Sequence, residues 1–148
     1  MGETGDTFDL PFPILPIPTP AHDIQKAIVE AAHKHNRLAV AHALSLKDTL
    51  QMLDAGVDGL AHACNEASGK ELIDAFAKKN AFVIPTLAVH ASATGEEQES
   101  RERFAKSLSG SERDHMCTCL RLSREGFSMQ NASDNVRALK AAGIDIIW

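Results

Sequence analysis

The sequence predicts an α/β protein of parallel strands joined by crossover helices, arranged as a closed barrel or as an open doubly wound sheet. Three observations predict it. Short apolar runs of strand length alternate with stretches whose apolar residues recur at helical spacing. Helix-start and helix-stop residues fall at the joints between them. The tripeptide Ala-His-Ala also occurs twice, at 41–43 and 61–63, each time closing a short apolar run.

The elements follow in order. The acidic start "MGETGDTFDL" leads into "LPFPILPIPTP", which holds five of the six prolines. Pro13 and Pro16 have the PxxP spacing of a polyproline segment, but no basic anchor accompanies them, so an apolar loop is expected. Thr19 suits the N-cap of a first helix, Pro20 its first position and Asp23 its first turn, where the helix dipole favours an acid. Ile24, Ala27, Ile28, Ala31 and Ala32 would form its inner face. "RLAVAH" (Arg37–His42) reads as a buried strand. Ser45 with Asp48 caps a second helix, with Leu46, Leu50 and Leu53 inward and Gly56 as its left-handed stop. "VDGLAH" (Val57–His62) is the next strand. Ser68 and Glu71 form a capping box for a third helix whose inner face is Leu72, Ile73, Phe76 and Ala77. "FVIPTLAV" (Phe82–Val89) reads as a third strand, with Pro85 at an irregularity because proline cannot donate to a ladder. Residues 93–131 are polar and charged and read as surface helices inserted into one domain spanning 1–148. Alternation then resumes with Ser133 as a cap, Val136 and Leu139 inside, Gly143 as a stop, and a strand from Ile144.

Composition narrows the function classes. The chain has 148 residues, 44% hydrophobic and 24% charged, enough apolar material for one core. A net charge of -5 leaves no footprint for nucleic acid or an anionic membrane surface. No apolar stretch approaches a membrane span, and the N-terminus has no signal-peptide core. Three cysteines without framework spacing predict a reduced, cytoplasmic protein.

The chemistry rests on histidine. In parallel α/β folds functional side chains gather where strands end, and His42 and His62 both occupy that place. Neutral imidazole ligates zinc and similar divalent ions, and two such rings on adjacent strands can share one ion. Each could instead serve only to hydrogen-bond a neighbouring loop. His90, after the third apolar run, could line a substrate pocket. His115, Cys117 and Cys119 in "HMCTC" do not share a helix face, so they read as buried thiols and a surface histidine.

"AAHKHNRLAVAHALSLKDTLQMLDAGVDGLAHA", followed by "AFVIPTLAV" and "LKAAGIDII", resembles the amidohydrolase superfamily, in particular its imidazolonepropionase- and prolidase-like metal-dependent hydrolases. The resemblance runs from Pro18 to Ile147. It implies a TIM-type (β/α)8 barrel, of which this chain is a part from the end of strand four to the start of strand eight. It also implies a divalent metal, zinc foremost, and hydrolysis of amide or cyclic amide bonds in a small dipeptide-like substrate by a metal-bound hydroxide. His42 matches the histidine closing strand five, and His62 the one closing strand six. The pattern is also departed from. The His-x-His pair of strand one has no counterpart except His33 and His35, which lie on a helix, and no lysine precedes Lys26. The aspartate that follows "AGIDI" in such proteins lies beyond Trp148. No residue of this chain is therefore assigned as catalytic, and weak or absent activity of the chain alone is expected. The alternative is a truncated half-barrel acting as a non-catalytic binding or regulatory partner, with self-association through open barrel edges.

Overall fold

The computed structural model describes residues 20–94, 103, 105–117 and 128–148. Within them the order is α1 (His22–Lys34), β1 (Val40–His42), α2 (Leu46–Ala55), β2 (Gly59–Ala61), α3 (Lys70–Lys79), β3 (Phe82–Ile84), α4 (Leu87–Thr94), α5 (Gly110–Cys117) and α6 (Met129–Ala141). The strands form one parallel sheet in the order β1-β2-β3. Val40 pairs with Gly59, Ala41 with Leu60 and His42 with Ala61; Gly59, Leu60 and Ala61 pair in turn with Phe82, Val83 and Ile84. Beyond β3 a parallel bridge joins Val83 to Ile146, closed by Val83 N–H donating to Asp145 O (3.0 Å) and Ile147 N–H to Val83 O (2.9 Å). The strand expected from Ile144 therefore takes its place as the next neighbour in chain order. Consecutive parallel neighbours separated by helices are the α/β alternation that the sequence predicts.

Strand alternation divides the sheet into two faces. Ala41, Leu60 and Val83 are buried and meet Val29 of α1, Met52 and Leu53 of α2, Leu72 and Phe76 of α3, and Leu139 of α6 in one apolar layer. Each large aliphatic or aromatic side chain there contributes about 1.5–3 kcal/mol of transfer free energy. The other face carries Val40, His42, Ala61, Phe82 and Ile84 and is partly open. A smaller cluster of Ala63, Ala132 and Val136 joins α6 to the ends of the strands.

Several local expectations hold. Ser45 accepts from Asp48 N–H (3.1 Å) and donates its hydroxyl to the Asp48 carboxylate (2.7 Å), while Gly56 takes φ 95°. Gly143 takes φ 81° just past α6, and Ile144 N–H returns to Leu139 O (3.0 Å). Asp23 sits in the first turn of α1.

Others are corrected. Pro20 precedes α1, which starts at His22 with Ala21 as its N-cap. Thr19, like Pro13 and Pro16, lies outside the described residues. The buried stripe of α1 is Gln25 and Val29, with Ile24 and Ile28 exposed. The reason is a polar seam: the Gln25 amide donates to Pro20 O (2.9 Å) and accepts from Gln51 of α2 (3.0 Å), which rotates the helix away from its isoleucines. In α2 Met52 and Leu53 are buried while Leu46 and Leu50 are only partly so; in α3 Ala77 is exposed. Ser68 does not cap α3, whose N-cap is Gly69, because its hydroxyl donates to Asn135 of α6 (2.6 Å). Ser128, not Ser133, caps α6 by accepting from Asn131 N–H (2.9 Å). Finally, the third strand stops at Ile84. Pro85 has no N–H for the ladder, Thr86 turns the chain with φ 45°, and "LAVHASAT" becomes α4. Within the segment expected to hold inserted helices, α5 is helical. Cys119 lies outside the described residues.

Candidate metal centre

The parallel register sets the site. His42 ends β1 opposite Ala61, so the residue after Ala61, His62, stands at the same end of the neighbouring strand. The two rings lie with centroids 4.8 Å apart, and His42 Nδ1 is 2.8 Å from His62 Nε2. One nitrogen donates and the other accepts, according to tautomer. The second nitrogen of His62, Nδ1, lies 2.5 Å from the Thr86 hydroxyl at the end of β3. Three successive strand ends thus contribute to one row: imidazole, imidazole, hydroxyl.

The backbone at this end is unusual. His62 has φ 77° and Thr86 φ 45°. Left-handed backbone is uncommon for residues other than glycine, less so for asparagine, aspartate and histidine, and for a β-branched threonine it is an outlier. Such residues persist where the surroundings over-determine them, and they cluster at functional sites. Here His62 immediately follows β2, Thr86 comes two residues after the end of β3, and their side chains touch. The other two left-handed non-glycine residues among the described ones, Asn36 and Asn80, close helices α1 and α3, a role that asparagine fills readily.

His90, expected to follow a strand and line a substrate pocket, sits in α4 and is 1% exposed. Ala63 N–H donates to its Nε2 (3.1 Å), and its Nδ1 lies 3.5 Å from the Asn65 amide. Its ring meets that of His62 edge-on, centroids 6.0 Å apart. Burial, and then the neighbouring His62, hold its pKa down at about 4, against the Pro85 carbonyl, which raises it. His33 and His35 lie at the end of α1, away from this row; His33 Nε2 is 2.9 Å from the Asp58 carboxylate. His115 and Cys117 fall in α5. Cys64 is buried, and burial pushes its thiol up to about 11, which leaves it a poor ligand as it stands.

The donor set can be tested against a zinc-type ion. Two imidazole nitrogens converge, and one ring has a hydroxyl on its far nitrogen, the outer-shell arrangement common around ligating histidines. Zinc–nitrogen bonds of about 2.0–2.1 Å in a tetrahedron separate two nitrogens by roughly 3.3 Å, so the rings need part by only about 0.5 Å. Among the described residues, no group of three or more imidazole, thiol or carboxylate side chains is placed to hold an ion. The pair therefore fits as two ligands of a larger set. Thr86 and Asn65 were not singled out from the sequence. Thr86 could have been, since it follows its strand much as His62 follows the one before.

No family model and no curated protein matches the chain. Solved structures do. A Xaa-Pro dipeptidase with bound methionine in its active site aligns at 17% identity and TM-score 0.55 over 87% of this chain and 28% of its own. A prolidase complexed with N-methylphosphonate-L-proline aligns at 19% identity and TM-score 0.55, over 86% and 27%. A. niger ochratoxinase aligns at 18% identity and TM-score 0.53, over 85% and 24%. The chain thus spans about a quarter of the length of these proteins. No helix among the described residues is long and apolar enough to cross a membrane. The fold is that of one stretch of these three structures.

Proposed function

We propose that the chain forms part of a metal-dependent hydrolase of amide or cyclic amide C–N bonds, with His42 and His62 as two ligands of a divalent ion, zinc foremost. One observation carries this: two imidazole nitrogens from adjacent strand ends face each other at 2.8 Å on the open side of a parallel sheet. The parallel ladder is then one portion of a (β/α)8 barrel, and the remaining ligands come from its other strands. A bound ion would acidify a water and polarise the scissile carbonyl. Within this chain, Thr86 orients the His62 ring through Nδ1, leaving Nε2 aimed toward His42. A small amide or dipeptide-like substrate is in keeping with the prolidases of like fold. Two donors leave a zinc-type ion half-coordinated, so turnover by the 148-residue chain alone is expected to be absent or very weak.

The test is titration with cobalt(II) or zinc, followed by calorimetry and, for cobalt, visible absorption. The wild-type protein binds, and His42→Ala and His62→Ala each weaken binding by at least about tenfold while retaining the fold. Binding that neither substitution changes would overturn the assignment. A second reading, a non-catalytic half-barrel that binds a partner, is favoured by the exposure of Leu38 (69%) and Val40 (40%) at β1, the outer strand of the described sheet. A folded protein that takes up no metal would select it.

A further inference from the structure

Resting on the metal reading above, we propose that His90 is a positioning residue: its Nε2 accepts the Ala63 N–H and so holds His62 in the left-handed conformation that aims its ring at His42.

His62 holds a positive φ, uncommon for a residue other than glycine, and such a conformation persists only where the flanking peptides are fixed. On one side His62 N–H donates to Ile84 O (2.9 Å). On the other, the Ala63 N–H is shared between Pro85 O (3.2 Å) and His90 Nε2 (3.1 Å). The two carbonyls belong to the chain leaving β3. The imidazole is thus a side-chain acceptor for the amide that follows His62.

The ring's tautomer follows from the same contacts. A backbone N–H is an obligate donor, so an Nε2 that accepts it presents a lone pair and the neutral ring carries its hydrogen on Nδ1; the Pro85 carbonyl, which also faces the ring and favours its protonated form, is the acceptor that the opposite tautomer would use. Nδ1 faces the side-chain amide of Asn65, whose Oδ1 is buried with no hydrogen-bond partner among the described residues. Exchanging the oxygen and nitrogen of that amide, which are nearly isosteric, puts Oδ1 against the Nδ1–H. One assignment then satisfies both the orphaned oxygen and the ring. Asn65 in turn ties this assembly to its surroundings. Its N–H donates to Leu44 O (3.1 Å), two residues past His42, and its carbonyl accepts from Ser128 N–H (3.1 Å) at the start of α6. The loops that carry both candidate ligands are thus joined through Asn65 and His90. His90 itself is buried and acts through Ala63, not on an ion or substrate.

The first measurement is made on the metal-free, 15N-labelled 148-residue chain, by long-range proton–nitrogen correlation of the histidine rings and hydrogen exchange of the Ala63 amide. His90 is expected as the Nδ1–H tautomer, with a protected Ala63 amide. An Nε2–H tautomer, or an Ala63 amide that exchanges freely, overturns the proposal whatever the metal data show. The second compares cobalt affinity in wild type, His90→Leu and His90→Gln, with the fold checked by circular dichroism. The leucine variant, lacking an acceptor, is expected to bind about 10–100-fold more weakly. The glutamine variant, with a carbonyl oxygen near the position of Nε2, returns to within about threefold of wild type. A folded leucine variant that binds like wild type, or a glutamine variant as weak as leucine, overturns the positioning role. If leucine fails to fold, the tautomer and the glutamine variant still decide. If wild type itself takes up no metal, the metal reading fails separately, and the tautomer and amide exchange alone judge His90.

Discussion

Gly59→Ala tests how the sheet brings His62 into place. Gly59 pairs with Phe82 across β2 and β3, and the phenylalanine ring lies over it on the open face. A Cβ at position 59 would fall 2.2, 2.4 and 2.6 Å from three ring carbons. Carbon atoms rest at about 3.5–4.0 Å, so the ring would have to retreat by more than 1 Å, roughly, or the strands part. Overpacking of this kind costs about 1–3 kcal/mol. Two effects offset it. Alanine loses less backbone entropy than glycine on folding, worth about 0.5–1 kcal/mol. The ring is also only partly buried and can swing outward for about 0.5–1.5 kcal/mol of rotamer strain. The net expectation is a loss of up to about 2 kcal/mol, read as a lower urea midpoint with unchanged slope. The decisive comparison is a double-mutant cycle. In the Phe82→Ala background the clash disappears, so Gly59→Ala should become neutral or slightly stabilising, a coupling of about 1–2 kcal/mol. If Gly59→Ala costs as much without the Phe82 ring as with it, the steric reasoning is wrong.

Two further outcomes follow from other parts of the molecule. Asp58 feels burial, which raises its pKa, but hydrogen bonds from Ala39 N–H (2.7 Å) and the His33 ring outweigh it and hold the carboxyl below its usual range. A depressed carboxylate contributes stability that is full above its unfolded pKa and is lost as pH falls through the lower folded value; wild type should therefore lose more stability on acidification below about pH 4 than Asp58→Asn, and parallel pH curves would refute the coupling. At β1, the outer strand of the described sheet, Leu38 and Val40 expose apolar surface, so sedimentation velocity should show concentration-dependent self-association that Val40→Lys reduces. Identical sedimentation of the two proteins would exclude that edge.

The sequence by itself determined the alternation of elements, because period, caps and glycine stops are local: Ser45 with Asp48, Gly56 and Gly143 act within a turn of their own position. It also marked His42 and His62, since two strands of like pattern repeat the same tripeptide. What it could not determine are the contacts made by residues far apart in the chain. Gln25 turns α1 off its isoleucines because Gln51 waits on α2, and Ser68 gives up its cap because Asn135 lies within reach on α6. Pro85 was legible as an irregularity, yet the end of β3 at Ile84, the left-handed turn at Thr86 and the helix that carries His90 inward were not, because "PTLAV" has strand composition and only tertiary packing overrides it. The His42–His62 approach belongs to the same class. The strand-end positions were readable, but the register that places Ala61 beside His42, and the positive φ that turns His62 toward it, exist only once three strands and α4 are packed together.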